Sequence, residues 1–167
     1  MVNWVTKGLF VGQRRVYMNP QPDDTMIADD MWDPATQSGT TGKTYRITGS
    51  DYNKLWAWQS RLNASTPNAA GIRIEHAFNG FGTSAAYPVE QLFPATTDDL
   101  TPTIYNEENW FHWVSHTYSH PNLDSITYSQ MLTQLRQNNT VALNTIGMTN
   151  YTKDSLVTPE ISWLNNA

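Results

Sequence analysis

The chain has 167 residues, enough to bury a hydrophobic core, and we predict a single domain over residues 1–167. Its net charge of -5 argues against nucleic acids and anionic membranes as partners, because both require a basic surface. No apolar run approaches the roughly 18 residues that a membrane span needs. Cysteine is absent, which excludes disulfides, thiol nucleophiles and thiolate metal ligands.

The first half of the chain alternates between strand and helix signals. Residues 15–18 predict a short strand, which ends where two prolines follow. The Gly-, Ser- and Thr-rich stretch at 33–44 predicts a loop. Ser50 is a candidate N-cap for a helix that ends near Asn63, and residues 71–78 alternate as a strand does.

The second half continues the alternation after a connection rich in Pro and Thr. Residues 110–114 predict a strand, and Asp124 or Ser125 is the expected cap of an amphipathic helix. A last extended segment covers residues 155–158. This order predicts a parallel α/β arrangement, open or barrel-like. Three or four such units cannot close an eight-stranded barrel of about 250 residues, so we expect part of one.

Two polar groups of residues follow predicted strands, at the sheet edge where α/β proteins place their sites. Asp23 and Asp24 follow the first strand, and His116 and His120 follow the third. The four-residue spacing of the histidines lets both imidazoles reach one metal ion. One carboxylate could complete the ligand set while its neighbour takes a proton from water. The pattern therefore favours a hydrolytic metal site.

Simpler interpretations of these residues stay open. Each histidine could lie on the surface, and an Asp pair in a Pro-rich loop commonly forms a turn or a helix cap. A second pair, Asp29 and Asp30, lies farther from the strand end, and we expect it to serve in capping or in a solvated loop. His76 and His112 lie in strand patterns and are expected to be structural, packed or half-buried residues.

Residues 116–124, HTYSHPNLD, resemble the second motif of the NodB-type polysaccharide deacetylases, H-[ST]-x-x-H followed shortly by Leu. Residues 21–24, QPDD, resemble the first motif, in which two aspartates end the first barrel strand. A closer likeness is to the large secreted fungal deacetylases that act on galactosaminogalactan. Residues 19–24, 30–34 and 156–162 carry that likeness together.

The resemblance implies a role for each matching residue. Asp23 would be the catalytic base, and Asp24, His116 and His120 would bind a divalent metal, with zinc expected. The implied fold is a partial or distorted (β/α) barrel. The later Leu-x-His motif, which supplies the general acid in this family, finds no match before Ala167. The chain is therefore expected to be the N-terminal part of a catalytic barrel, truncated before that motif.

The implied activity is hydrolysis of N-acetyl groups on a polysaccharide of galactosamine or glucosamine, with release of acetate. Trp32 and Trp113 are candidate walls for stacking against sugar rings, but we expect each of them to be buried in the core. Two alternatives stay open: a non-catalytic glycan-binding fragment that keeps the metal site, and a metalloprotease. The protease is disfavoured because Thr117 stands where the H-E-x-x-H motif has its Glu.

Signals for export point in two directions. Residues 1–10 lack the long apolar stretch of a signal peptide. Three N-x-Ser/Thr sequons, at Asn63, Asn138 and Asn150, favour a secreted origin, because such sites accept glycans in exported proteins. With the resemblance, they lead us to expect a secreted or cell-wall-associated protein.

Overall fold

The computed structural model describes residues 18–65 and 71–162. The strand predicted at 15–18 lies outside the described residues, apart from Met18. No helix in the described ranges is long and apolar enough to cross a membrane. The strands and helices are β1 Asp29–Asp33, β2 Ser38–Tyr45, α1 Gly49–Ser65, β3 Glu75–Phe78, α2 Leu100–Glu107, β4 His112–Ser115, α3 Tyr128–Thr140 and β5 Tyr151–Leu156.

A parallel sheet of order β3-β4-β5 forms the centre of the molecule. The segment 20–22 runs along the free edge of β3, where Glu75 N and Ala77 N donate to the carbonyls of Pro20 and Pro22 at 3.1 and 2.9 Å. The strands therefore follow one another in chain order, as in a barrel and unlike a doubly wound sheet. The predicted α/β class with a parallel sheet is confirmed, and closure into a barrel stays a prediction.

β1 and β2 form an antiparallel hairpin where the sequence predicted a loop over 33–44, and that prediction was wrong. The strands pair from Asp29 with Tyr45 to Asp33 with Ser38. Asp33 closes the turn by accepting a hydrogen bond from Ala35 N at 2.9 Å. The threonines of β2 are common in strands, whereas its glycines and serine are typical of loops. The loop prediction gave more weight to the glycines and serine.

α1 begins at Gly49, so its cap is Thr48, two residues before the predicted cap, Ser50. Thr48 Oγ1 accepts from Asp51 N, and Asp51 Oδ2 accepts from Thr48 N, both at 3.1 Å. This reciprocal pair satisfies two backbone donors that the first turn leaves free. Gly49 allows the close approach of α2, because a Cβ there would lie 2.8 Å from the carbonyl oxygen of Asp99.

α3, in contrast, begins after the predicted cap at Asp124 or Ser125. Those two residues lie in a short 3-10 turn, and Thr127 is the N-cap. Thr127 Oγ1 accepts from Gln130 N at 3.3 Å, and Gln130 Oε1 accepts from Thr127 N at 2.8 Å, a complete capping box. A π-helical turn, Val141–Ile146, continues α3 toward β5.

His76 lies inside an aromatic core, as expected for a structural residue. Its Nδ1 lies 2.7 Å from Thr25 Oγ1, and its ring meets Phe111 edge to face at 4.7 Å. Trp113 packs 5.0 Å from it and is fully buried, which agrees with its expected burial and excludes it as a sugar-stacking wall. Trp32 is 65% exposed, so its expected burial was wrong. His112 was also mispredicted, since it is exposed at the amino end of β4.

The burial of His76 predicts an acid-sensitive fold. Burial lowers its pKa to about 3, whereas the unfolded chain takes up a proton near the ordinary value of about 6.5. The free energy of unfolding therefore has its full value above about pH 6.5. It decreases as the pH falls toward 3, by up to about 1.4 kcal/mol per pH unit.

Urea unfolding of the metal-free chain between pH 7 and 5 measures this slope. We expect His76→Gln to reduce the slope, relative to the wild type, by the contribution of one proton, up to about 1.4 kcal/mol per pH unit. His112→Gln, at an exposed position, is the matched control and should keep the wild-type slope. Equal slopes in all three proteins would contradict the assignment to His76.

Candidate metal centre and its cleft

The carboxyl ends of neighbouring strands bring the predicted metal ligands together. Asp24 follows the segment beside β3, and His116 and His120 follow β4. Asp24 Oδ1 lies 3.4 Å from His116 Nε2 and 3.3 Å from His120 Nε2. One ligand atom from each of the three residues lies within 4.8 Å of the others. The structure thus places three of the four predicted site residues in one cluster.

The cluster has the dimensions and chemistry of a metal site. Two ligands bound tetrahedrally at about 2.0–2.1 Å lie about 3.3 Å apart, which matches the separations of Asp24 from both histidines. Asp24 Oδ1 and His116 Nε2 are buried and have no hydrogen-bond partner among the described residues. Buried polar atoms are rarely left in this state, so both atoms fit a bound cation. Two imidazoles and one carboxylate are a donor set that suits zinc.

The backbone just after β5 fixes the orientation of His116. The ring is 1% exposed, and its Nδ1 lies 2.8 Å from the carbonyl oxygen of Val157. Donation from Nδ1 leaves Nε2 as the free nitrogen, which points at Asp24. Burial lowers the pKa of His116, but Asp24 and the Val157 carbonyl outweigh it, so the pKa lies above its usual value.

Three residues of the site have a left-handed backbone. The φ angles of Asp24, Thr117 and His120 are 48°, 65° and 57°. Residues other than glycine adopt this conformation at a cost, and such strain tends to concentrate at functional sites. Asn79 holds the strained turn by donating from its side chain to the carbonyls of His116 and Thr117 at 2.8 and 3.1 Å.

Asn138 on α3 connects the ends of β3 and β4 beneath the site. Its Nδ2 donates to Phe78 O at 2.8 Å and to Ser115 Oγ at 2.9 Å, and its Oδ1 accepts from Gly80 N at 2.7 Å. The side chain is fully buried. The sequon at Asn138 therefore offers no accessible glycan acceptor in the folded chain, and its role is structural.

Asn138→Ala is expected to lower the free energy of unfolding by about 3 kcal/mol, because it removes three buried hydrogen bonds and leaves the Gly80 N–H without a partner. Urea unfolding monitored by circular dichroism measures the loss. Asn144→Ala, in the exposed part of the π-helical turn, should change it by less than about 0.5 kcal/mol. Similar values for the two variants would show that Asn138 does not hold the strand ends.

A cleft of about 310 Å³ opens beside the metal cluster. Asp23, the predicted base, is exposed in its wall, and Asp29 and Asp30 line it as well. Burial raises the pKa of the Asp29 carboxyl, and the charges of Asp24 and Asp23 raise it further. The role expected for the Asp29–Asp30 pair, capping or loop solvation, was therefore wrong, because β1 carries both residues to the site. The apolar part of the lining consists of Ile27, Tyr45, Ile47 and Leu55.

None of the four histidines of the chain is a free acid at this cleft. His116 and His120 belong to the metal cluster. His76 lines the cleft, but burial lowers its pKa to about 3 and keeps it neutral. His112 lies at the amino end of β4, away from the site. The described residues therefore bring together three candidate ligands and a candidate base but no histidine acid.

Comparisons with known proteins find a family match over the second half of the chain, which contains the histidine motif. Residues 87–167, which include both histidine ligands, match the family model described as the Agd3 deacetylase domain. The fold is similar to the crystal structure of Agd3, described as a novel carbohydrate deacetylase, with a TM-score of 0.70 and 23% sequence identity. That likeness covers 96% of this chain and 30% of the Agd3 chain. No curated protein matches the chain. The resemblance predicted from the motifs is confirmed: this chain resembles the polysaccharide deacetylases of the Agd3 type.

Proposed function

We propose that this chain is part of a metal-dependent deacetylase that hydrolyses N-acetyl groups on a polysaccharide of galactosamine or glucosamine. The observation that carries the proposal is the cluster of Asp24, His116 and His120, with Asp23 in the wall of the adjoining cleft. The match of residues 87–167 to a deacetylase domain supports the same reaction. The products are acetate and a sugar with a free amine.

The four residues of the proposed site divide into three metal ligands and one base. Asp24, His116 and His120 hold a divalent metal, with zinc favoured by the donor set. The metal supplies Lewis-acid activation of the acetyl carbonyl and of a water molecule. Asp23 accepts the proton of the attacking water. The bond between carbonyl carbon and nitrogen then breaks, and the leaving amine takes its proton from solvent water, because none of the four histidines of this chain is a free acid at the cleft.

The proposal includes the surroundings of the site. The chain forms part of a (β/α) barrel, because its parallel strands follow one another in chain order. A polymeric substrate of amino sugars agrees with a secreted or cell-wall-associated location.

The purified chain tests the proposal directly. We expect about one equivalent of bound zinc after dialysis, and release of acetate from N-acetylated hexosamine oligomers. Adding a chelator should stop the release, and adding zinc should restore it. A chain that binds no zinc, cobalt or manganese would overturn the metal site and the proposed reaction together.

A second candidate function is that of a glycan-binding fragment, which keeps the metal site but does not hydrolyse the glycan. The observation that favours it is the lack of a histidine acid among the four histidines of the chain. Full zinc occupancy with oligomer binding, but with no acetate released, would support this function over hydrolysis.

A further inference from the structure

A second groove is lined by the β1–β2 hairpin and the segment 90–93, through residues that do not line the cleft beside the metal cluster. Its volume is about 440 Å³, within the range of about 300–1,000 Å³ that is usual for small-molecule sites. One wall comes from the hairpin and the other from the turn that precedes Pro94. The lining residues are Met31, Gly42, Lys43, Thr44, Glu90 and Phe93.

The chemistry of this groove suits an uncharged, hydroxyl-rich ligand. Phe93 is 52% exposed and Met31 is 37% exposed, so both offer apolar surface to a ligand. Lys43 and Glu90 add one positive and one negative charge, which leaves the lining neutral overall. Aromatic and apolar surfaces beside a few polar groups are typical of small-ligand sites, and a sugar ring offers both an apolar face and hydroxyls.

Tyr45 joins the groove to the metal cleft. It lines the cleft together with Asp23 and Asp24, and its ring packs against Phe93 with centroids 6.4 Å apart. The Tyr45 hydroxyl donates to Asp51 Oδ2 at 2.7 Å, which anchors the ring to the first turn of α1. A polymer lying across Tyr45 would therefore contact both depressions at once.

Arg46 holds the walls of the groove in a fixed position. Its backbone N–H donates to Phe93 O at 3.0 Å. The buried guanidinium donates to Gly82 O at 2.9 Å and forms an ion pair with Asp98 at 2.8 Å. A site held open before binding loses less entropy when the ligand arrives. The groove is thus preformed.

We propose that this groove is a subsite for an N-acetylated hexosamine polymer, whose neighbouring sugar occupies the metal cleft. The proposal rests on the proposed function for the identity of the polymer. The groove binds the neutral, acetylated sugars that lie next to the one being hydrolysed. Long oligomers therefore bind more tightly than short ones.

Calorimetric titration of the full chain with N-acetylhexosamine hexamers and dimers tests the subsite. We expect Phe93→Ala to weaken hexamer binding on the order of tenfold and to leave dimer binding unchanged. Met31→Ala, on the opposite wall, should act in the same direction. Tyr128→Ala removes an aromatic side chain that is 83% exposed on α3, and it should bind both oligomers as the wild type does.

The outcomes separate the subsite from the reaction. Equal hexamer affinity in the wild type and in both groove variants overturns the subsite, even if acetate is released. Failure of the wild type to bind the hexamer overturns it as well. Weaker hexamer binding in both variants supports the subsite, even if the wild type releases no acetate and the proposed hydrolysis falls.

Discussion

His116→Ala is expected to weaken zinc binding by more than about a hundredfold and to reduce acetate release to the background rate. Loss of a residue that only orients a ligand already costs about 10–100-fold in metal affinity, and His116 is itself a proposed ligand. Its free Nε2 lies 3.4 Å from Asp24 Oδ1 and has no other partner among the described residues. Zinc titration and acetate assays on the purified variant measure both effects.

His112→Ala is the matched control for this experiment. It removes an imidazole from β4, the strand that precedes His116, but from the exposed amino end, and zinc affinity should stay at the wild-type value. Circular dichroism of both variants checks that the fold is retained. A His116→Ala protein that is folded and binds zinc as tightly as the His112→Ala protein would contradict the assigned ligand set.

Asp23→Asn is expected to lower kcat by about 10²–10⁴-fold while the zinc content stays unchanged. The amide cannot accept the proton of the attacking water, and general-base catalysis contributes a factor of this size. Asp23 lines the cleft but lies outside the cluster of three ligands, so metal binding should survive. Kinetics at saturating zinc, with metal content measured on the same sample, separate the two roles.

Asp154→Asn serves as the control, because this carboxylate is exposed on β5. It should retain the wild-type kcat. If Asp23→Asn lost its zinc as well as its activity, Asp23 would be a ligand and the division of roles between the two aspartates would fail. If its kcat were unchanged, another group would be the base.

The sequence was most informative where the signal was local. The alternation of strand and helix patterns predicted a parallel sheet, because apolar spacing alone separates the two element types. The helix starts were displaced, although both true caps, Thr48 and Thr127, stand three residues before a side chain that completes a capping box. The predicted caps were instead nearby Ser and Asp residues, which also favour helix starts. The spacing of three residues in each Thr pair is visible in the sequence and indicates the true cap.

The candidate metal ligands were predictable because the four-residue spacing of the histidines and the adjacent aspartates are visible as short motifs in the sequence. The remaining parts of the site come from distant segments that carry no local pattern. Asp29 and Tyr45 reach the cleft only because β1 and β2 pair as a hairpin. Asn138 meets Phe78 O across 60 residues, and nothing in its surroundings distinguishes it from other asparagines in the chain.

The hydrogen bond between His116 and Val157 has a consequence for the order of assembly. The proposed ligands have all been synthesised once residue 120 is made, but the carbonyl that orients His116 comes 41 residues after it. We therefore expect a growing chain to hold an ion only loosely at these residues until β5 and Val157 have reached the sheet. Metal loading at the proposed site would then be a late event in biogenesis, and the bound ion would link the Asp24 segment to the backbone just after β5. Detachment of β5 would free the His116 ring and weaken ion binding before the rest of the fold is lost.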